Sequence, residues 1–252
     1  MAQIGGIARS LWVYHGKPRL FGVTSRPDLT DIYAPFVKRG DLVFDIGSHV
    51  GDRVSAFRKL GARVVAVEPQ PALQNVLRAL YGDSPSVTLV NAAVSDRPGT
   101  NALHLNTGNP TVATLSDDFI AAAEGAEGWE DQRWDDVVDV ATITLADLTE
   151  TYGRPAFIKV DVEGFEDRVL AGMAEPAPAL SFEFTTIERD VAARALDVLV
   201  ALEPRYRFSA SFGESHVMIG RRWMTADAIG AWLDRLPQAA NSGDIYARLM
   251  PD

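Results

Sequence analysis

VFDIGSHVG, Val43–Gly51, is the stretch on which the fold turns. An apolar run ending in Asp45, a glycine-rich turn and a segment of helical pattern read together as strand, loop and helix. A second apolar run, VVAVEP, closes on Glu68 where the next strand should end. Gly47 and Gly51 remove the Cβ atoms that would hold a nucleotide-like ligand away from the backbone. Glu68, at a strand tip, is placed to accept hydrogen bonds from both hydroxyls of a ribose.

Working outward, strand and helix patterns alternate from Asp41 onward, the pattern of an α/β, doubly wound, mostly parallel sheet of Rossmann-like type. The first strand reads as Leu42–Ile46 and its helix as Gly51–Leu60, stopped by Gly61. The second strand is Arg63–Val67 and its helix Pro71–Tyr81, where Pro71 suits a first helical turn. Val87–Val94 is almost continuously apolar, which predicts a strand covered on both faces. Alternation then breaks. Thr100–Leu105 and Val137–Thr144 read as a strand pair around an excursion that holds a short helix at Asp117–Ala123. The pattern resumes with helix Leu145–Thr151, strand Ala156–Asp161, helix Glu163–Gly172, strand Leu180–Phe184 and helix Glu188–Leu202. Tyr206–Ser211, FGES and His216–Gly220 read as a closing antiparallel hairpin, followed by an outer helix, Thr225–Leu236. The expected organisation is an arm (1–40), one α/β domain (41–222, with an insertion at 106–136) and a helical extension (223–252).

The chain has 252 residues, 47% of them hydrophobic, which is enough for a full core. No apolar run approaches the roughly 20 residues of a membrane span, and the N-terminus lacks a signal-peptide pattern, so a cytoplasmic protein is expected. With no cysteine, disulfides, thiolate metal sites and thiol catalysis are excluded. A net charge of −10 argues against a sequence-independent grip on nucleic acid. Charge is also uneven. Residues 1–27 carry Arg9, Lys17, Arg19 and Arg26 without an acid, whereas residues 106–136 carry eight acids against Arg133 alone. The acidic segment reads either as a solvated surface, as a mobile lid, or as a partner for the basic arm. Its Trp129 and Trp134 suit stacking on a sugar or polyketide ring, or anchoring to the core. Trp12, Tyr14 and Phe21 in the arm make a homodimer plausible.

The first loop departs from the dinucleotide fingerprint G-x-G-x-x-G, since its two glycines stand in another register with Asp45 just ahead of them. An anion there repels a pyrophosphate but suits a ligand bearing an ammonium and a sulfonium, which points to S-adenosylmethionine. The candidate cofactor residues are Asp45, Gly47, Ser48, Gly51, Glu68, Pro69, and Ala92 with Ala93 along an adenine edge. In FIKVDVEGFE, Phe157–Glu166, the charges Lys159, Asp161 and Glu163 alternate with apolar residues, so period two puts them on one side of a buried strand. Burying them is costly unless they pair or bind something. Glu183 in SFEF is a similar acid at the next strand's end. These four, Asp161, Lys159, Glu163 and Glu183, are the candidate catalytic residues for an acceptor hydroxyl. Converging carboxylates suit Mg²⁺, a shared proton or a polyol alike, and a required divalent metal is not favoured. No histidine spacing suits zinc. His49 lies in the cofactor loop, either packed on the ligand or facing solvent. A NAD-type oxidoreductase and a non-catalytic cofactor-binding module are the weaker alternatives.

The stretches LVFDIGSHVG, RVVAVEPQP, VTLVNAAVSDRPG, TITLADL and FIKVDVEGFEDRVLAG resemble, in order and spacing, those of FkbM-type S-adenosylmethionine-dependent methyltransferases. The resemblance covers about Gly40–Phe184. It implies a class I methyltransferase sheet of seven strands with a C-terminal antiparallel hairpin, and O-methylation of a hydroxyl on a sugar, glycan or polyketide-like small molecule. In the family the TITL segment continues with an acid. Here Ala146 stands in that place and Asp147 follows, so the role of that carboxylate does not carry over.

Overall fold

The computed structural model describes residues 29–251, apart from the side chain of Glu214. The basic N-terminal stretch, with Trp12, Tyr14 and Phe21, lies outside the described residues. The described residues open with helix α1 (Leu29–Tyr33), then β1 (Leu42–Ile46), α2 (Asp52–Lys59), β2 (Arg63–Val67), α3 (Pro71–Tyr81) and β3 (Val87–Val90). A three-stranded excursion follows: β4 (Ala93–Val94), β5 (Gly99–Leu105), helix α4 (Asp117–Ala123) and β6 (Asp136–Ile143). The main sheet then continues through α5 (Leu145–Tyr152), β7 (Phe157–Val160), α6 (Glu166–Ala171), β8 (Ala179–Thr185), α7 (Arg189–Leu202), β9 (Tyr206–Phe212), α8 (Ala226–Asp234) and β10 (Ser242–Leu249).

Seven strands form the main sheet in the order β3-β2-β1-β7-β8-β10-β9, and β4-β6-β5 form a small second sheet. All main-sheet pairings from β3 to β8 are parallel, and β10 runs antiparallel between β8 and β9. The central strands are buried on both faces, so alternate residues feed two cores. Phe44, Ile46, Ile158 and Leu180 face Leu145, Leu170, Leu196, Leu199 and Ile229 of α5–α8. Val43, Val64 and Phe157 face Tyr33 of α1, Val54 and Phe57 of α2, and Leu77 of α3. In α3 the buried residues Leu73, Leu77 and Tyr81 recur every four positions, which is one face of a 3.6-residue helix.

Three sequence expectations are corrected. Val87–Val94 is two strands: β3 is a half-exposed edge strand, and β4 leaves to pair with β6. An apolar run alone does not say whether a strand is central. The helix expected from Glu163 begins at Glu166, because Glu163 and Gly164 both take positive φ (57° and 84°) in a turn. His216–Gly220 is not the hairpin partner of β9; only Met218 bridges to Ser211. That partner is β10, so the stretch expected as a helical extension supplies a strand inside the main sheet.

The acidic segment is packed. Phe119 makes edge contacts with Trp129 (5.2 Å) and Trp134 (6.0 Å), and the two indoles donate to Asn241 Oδ1 (3.2 Å) and to the Val112 carbonyl (2.8 Å). Of the two roles read for these tryptophans, the structure favours the anchor. Its acids include Asp135, whose carboxylate accepts from the backbone and hydroxyl of Thr107. No helix among the described residues is long and apolar enough to cross a membrane.

Candidate active site

Parallel strands β1, β2, β7 and β8 end on one edge, and a cleft opens there. Counted out to its mouth it encloses about 1200 Å³, ample for a small-molecule ligand. Its floor is the turn after β1. Gly47 and Ser48 N–H groups both donate to the Val67 carbonyl (2.9 and 3.0 Å), and Asp161 N–H donates to Ile46 (3.0 Å). Gly47 sits at φ 81°, and a Cβ there would run into the Asp161 carbonyl oxygen. Only glycine lets the β1 and β7 loops approach this closely. Gly51 does not line the cleft. It is held to glycine by the Tyr81 ring behind it, whose hydroxyl donates to the Gly51 carbonyl (2.6 Å). Asp45, Gly47, Ser48, Glu68, Pro69, Ala92 and Ala93 all line the cleft, and so does His49.

Glu68 is fully oriented. One carboxylate oxygen accepts from His49 N–H (2.9 Å) and the other from Gln70 N–H (2.9 Å). Burial pushes Glu68 up to about 7 against these hydrogen bonds. Burial, with Asp52 nearby, pushes Asp45 up to about 7 as well, and its Oδ2 accepts no hydrogen bond. A buried, unbonded carboxylate oxygen suits a cationic ligand group.

At the other end of the cleft, Lys159 is 1% exposed and its ammonium donates to Asp161 Oδ2 (3.1 Å), Asp244 Oδ1 (2.8 Å) and the Val160 carbonyl (3.1 Å). Burial pulls this ammonium down, but Asp161 and Asp244 outweigh it and hold Lys159 well above the usual range. Asp161, Glu163 and Glu183 each bring a carboxylate oxygen within 4.8 Å of the others. Burial first, then the neighbouring carboxylates, push Glu163 and Glu183 well up. The turn that carries Glu163 is fixed by Glu166, which accepts from Val162 and Gly164 N–H (both 3.1 Å), and by Thr114, whose hydroxyl donates to the Glu163 carbonyl (2.6 Å). Oxygen donors of this kind could hold Mg²⁺, but the Lys159 ammonium already occupies one of them.

All four expected catalytic residues therefore meet in one place. Sequence reasoning missed Asp244, although polar–apolar alternation in SGDIYARL carried a strand signal. It also missed the cover over the cleft: Leu103, Pro110, Thr111, Ala113 and Leu115 of the small sheet and its loop line it, tied down by Gln70 Nε2 on the Pro110 carbonyl (3.0 Å). Asp147, the acid displaced from the expected position, closes a capping box with Thr144 at the start of α5.

Residues 45–208 match the methyltransferase FkbM domain family, well over half of the chain. No curated protein matches the chain. Among solved structures, an O-methyltransferase from Bacillus cereus in complex with SAH is 10% identical, covering 99% of this chain and 91% of its own, at a TM-score of 0.49. A TehB-like SAM-dependent methyltransferase from Corynebacterium glutamicum is 12% identical over 96% and 94% of the two chains, at 0.46. A precorrin-6y C5,15-methyltransferase from Geobacter metallireducens is 14% identical over 93% of each, at 0.42. Likenesses this loose decide nothing about acceptor or chemistry.

Proposed function

The chain belongs to the methyltransferase FkbM family, and on that premise we propose that it is an O-methyltransferase using S-adenosylmethionine on a hydroxyl of a sugar, glycan or polyketide-like acceptor. The observation that carries this reading is that Glu68 and the Lys159–Asp161 pair open onto one cleft. When bound, S-adenosylmethionine supplies an electrophilic methyl group on a sulfonium. The residues present fit it. Asp45 offers an unbonded buried carboxylate oxygen to the amino-acid ammonium, Glu68 receives the ribose hydroxyls, and Ala92 and Ala93 flank the adenine.

Asp161 is the group placed to take the acceptor's proton. Lys159 fixes its Oδ2, and no described residue is bonded to its other oxygen. Asp161 would take the acceptor hydroxyl's proton as the methyl group passes from sulfur to oxygen and the neutral thioether, S-adenosylhomocysteine, departs, and holding the two reactants in line would supply much of the rate. Incubation with methyl-tritiated S-adenosylmethionine and a panel of glycosides and macrolide alcohols tests the reading. Label moving into an acceptor as an ether, and not moving with Asp161→Asn, supports it. A protein whose melting temperature ignores S-adenosylhomocysteine refutes it.

A further inference from the structure

The acceptor end of the cleft gathers more carboxyl groups than a neutral alcohol calls for. Its fixed cation, Lys159, is already spent: its three N–H bonds go to Asp161, Asp244 and the Val160 carbonyl. Among the described residues no cation pairs with Glu163 or Glu183, whose oxygens and that of Asp161 lie within 4.8 Å of one another. One further observation points the same way. The Glu183 Oε2 atom is out of solvent and accepts no hydrogen bond. Binding a neutral polyol asks only for amides or hydroxyls, and burying carboxylates for that purpose costs free energy with no return.

We propose that the acceptor bears an ammonium group beside the hydroxyl that is methylated, as an amino sugar does, and that Glu163 and Glu183 receive that ammonium while Asp161 faces the hydroxyl. This rests on the methyltransferase reading. An ammonium presents three donors, matching a ring of carboxylate oxygens. A divalent ion fits less well, because the Lys159 ammonium, 3.1 Å from Asp161 Oδ2, repels a double charge more strongly than a single one. Burial and mutual repulsion, which push Glu163 and Glu183 up, are relieved by the arriving positive charge.

Sinefungin tests this without knowledge of the acceptor. It is the cofactor analogue in which an amine-bearing carbon replaces the methylsulfonium, so its ammonium stands at the transfer point. By calorimetry at pH 8 the wild-type protein should bind sinefungin about ten- to a hundredfold tighter than S-adenosylhomocysteine. Glu183→Gln and Glu163→Gln, made separately so that one folded variant suffices, should each cut that preference about tenfold or more, with S-adenosylhomocysteine affinity little changed. No preference in the wild type, or one that survives both substitutions, overturns the proposal. So does stoichiometric Mg²⁺ binding to the chelator-treated S-adenosylhomocysteine complex that Glu183→Gln abolishes, since the carboxylates would then serve a metal. Failure of S-adenosylhomocysteine itself to bind refutes the methyltransferase reading instead.

Discussion

Replacing Lys159 by methionine should cost more stability than any other single change at the site. Methionine keeps most of the stem, so little cavity forms, but the ammonium that donates to Asp161, Asp244 and Val160 disappears. Asp244, 5% exposed on β10, is left as a buried carboxylate without a counter-ion. Breaking a buried pair in this way costs about 3–5 kcal/mol. At about 2–4 °C per kcal/mol for a chain of this size, the melting temperature should fall by roughly 6–20 °C. Urea denaturation of wild type, Lys159→Met and the double variant Lys159→Met/Asp244→Leu checks this. The double variant should recover about half of the loss or more, because both charges leave together. A Lys159→Met protein within about 1 kcal/mol of wild type, or a double variant no better than the single, would show that the two carboxylates do not depend on this ammonium.

Glu68→Ala removes a charged acceptor for two ribose hydroxyls; at about 1.5–3 kcal/mol each, S-adenosylhomocysteine affinity should fall at least a hundredfold by calorimetry, or roughly so. Asp161→Asn should lower turnover far more than cofactor affinity, read as a drop in single-turnover rate at saturating cofactor. Gly47→Ala puts a methyl group against the Asp161 carbonyl at a positive φ; a loss of about 2 kcal/mol or more in chemical denaturation, with weakened binding, is expected. The pH dependence has a definite sign. Burial raises the carboxyls of Glu68, Asp45 and Glu166 to about 7 in the folded protein, so the folded state binds more protons than the unfolded between about pH 4.5 and 7. Their ionisation penalty is absent at the low end and complete above 7, so these groups make the ligand-free protein less stable at pH 7.5 than at pH 5.5, as differential scanning calorimetry can measure. Glu68→Gln should shrink the difference.

The parallel half of the fold was legible because β1, β2, β7 and β8 each carry an acid at or near the C-terminal end, and Gly61 and Pro71 punctuate the helices. β1, β2 and α3 fall on the expected residues. Convergence of Asp161, Glu163 and Glu183 was legible for the same reason: a charge in a strand buried on both faces must be answered by another group. The rest depended on long-range pairing. Nothing local to Val87–Val94 says that Asn91 turns the chain out of one sheet into another. Nothing local to His216–Gly220 says that β10, at Ser242–Leu249, takes the place beside β9. Asp244 was lost with β10. The tryptophans of the acidic segment pointed both ways, to a ligand or to packing, until Phe119 was placed between them.

A crystal structure with S-adenosylhomocysteine bound tests the central claim most directly. Both ribose hydroxyls should lie within hydrogen-bond distance of the Glu68 carboxylate, with the sulfur turned toward Asp161 and Glu183. A nucleoside seated away from Glu68, or a sulfur pointing out of the cleft, would contradict the account.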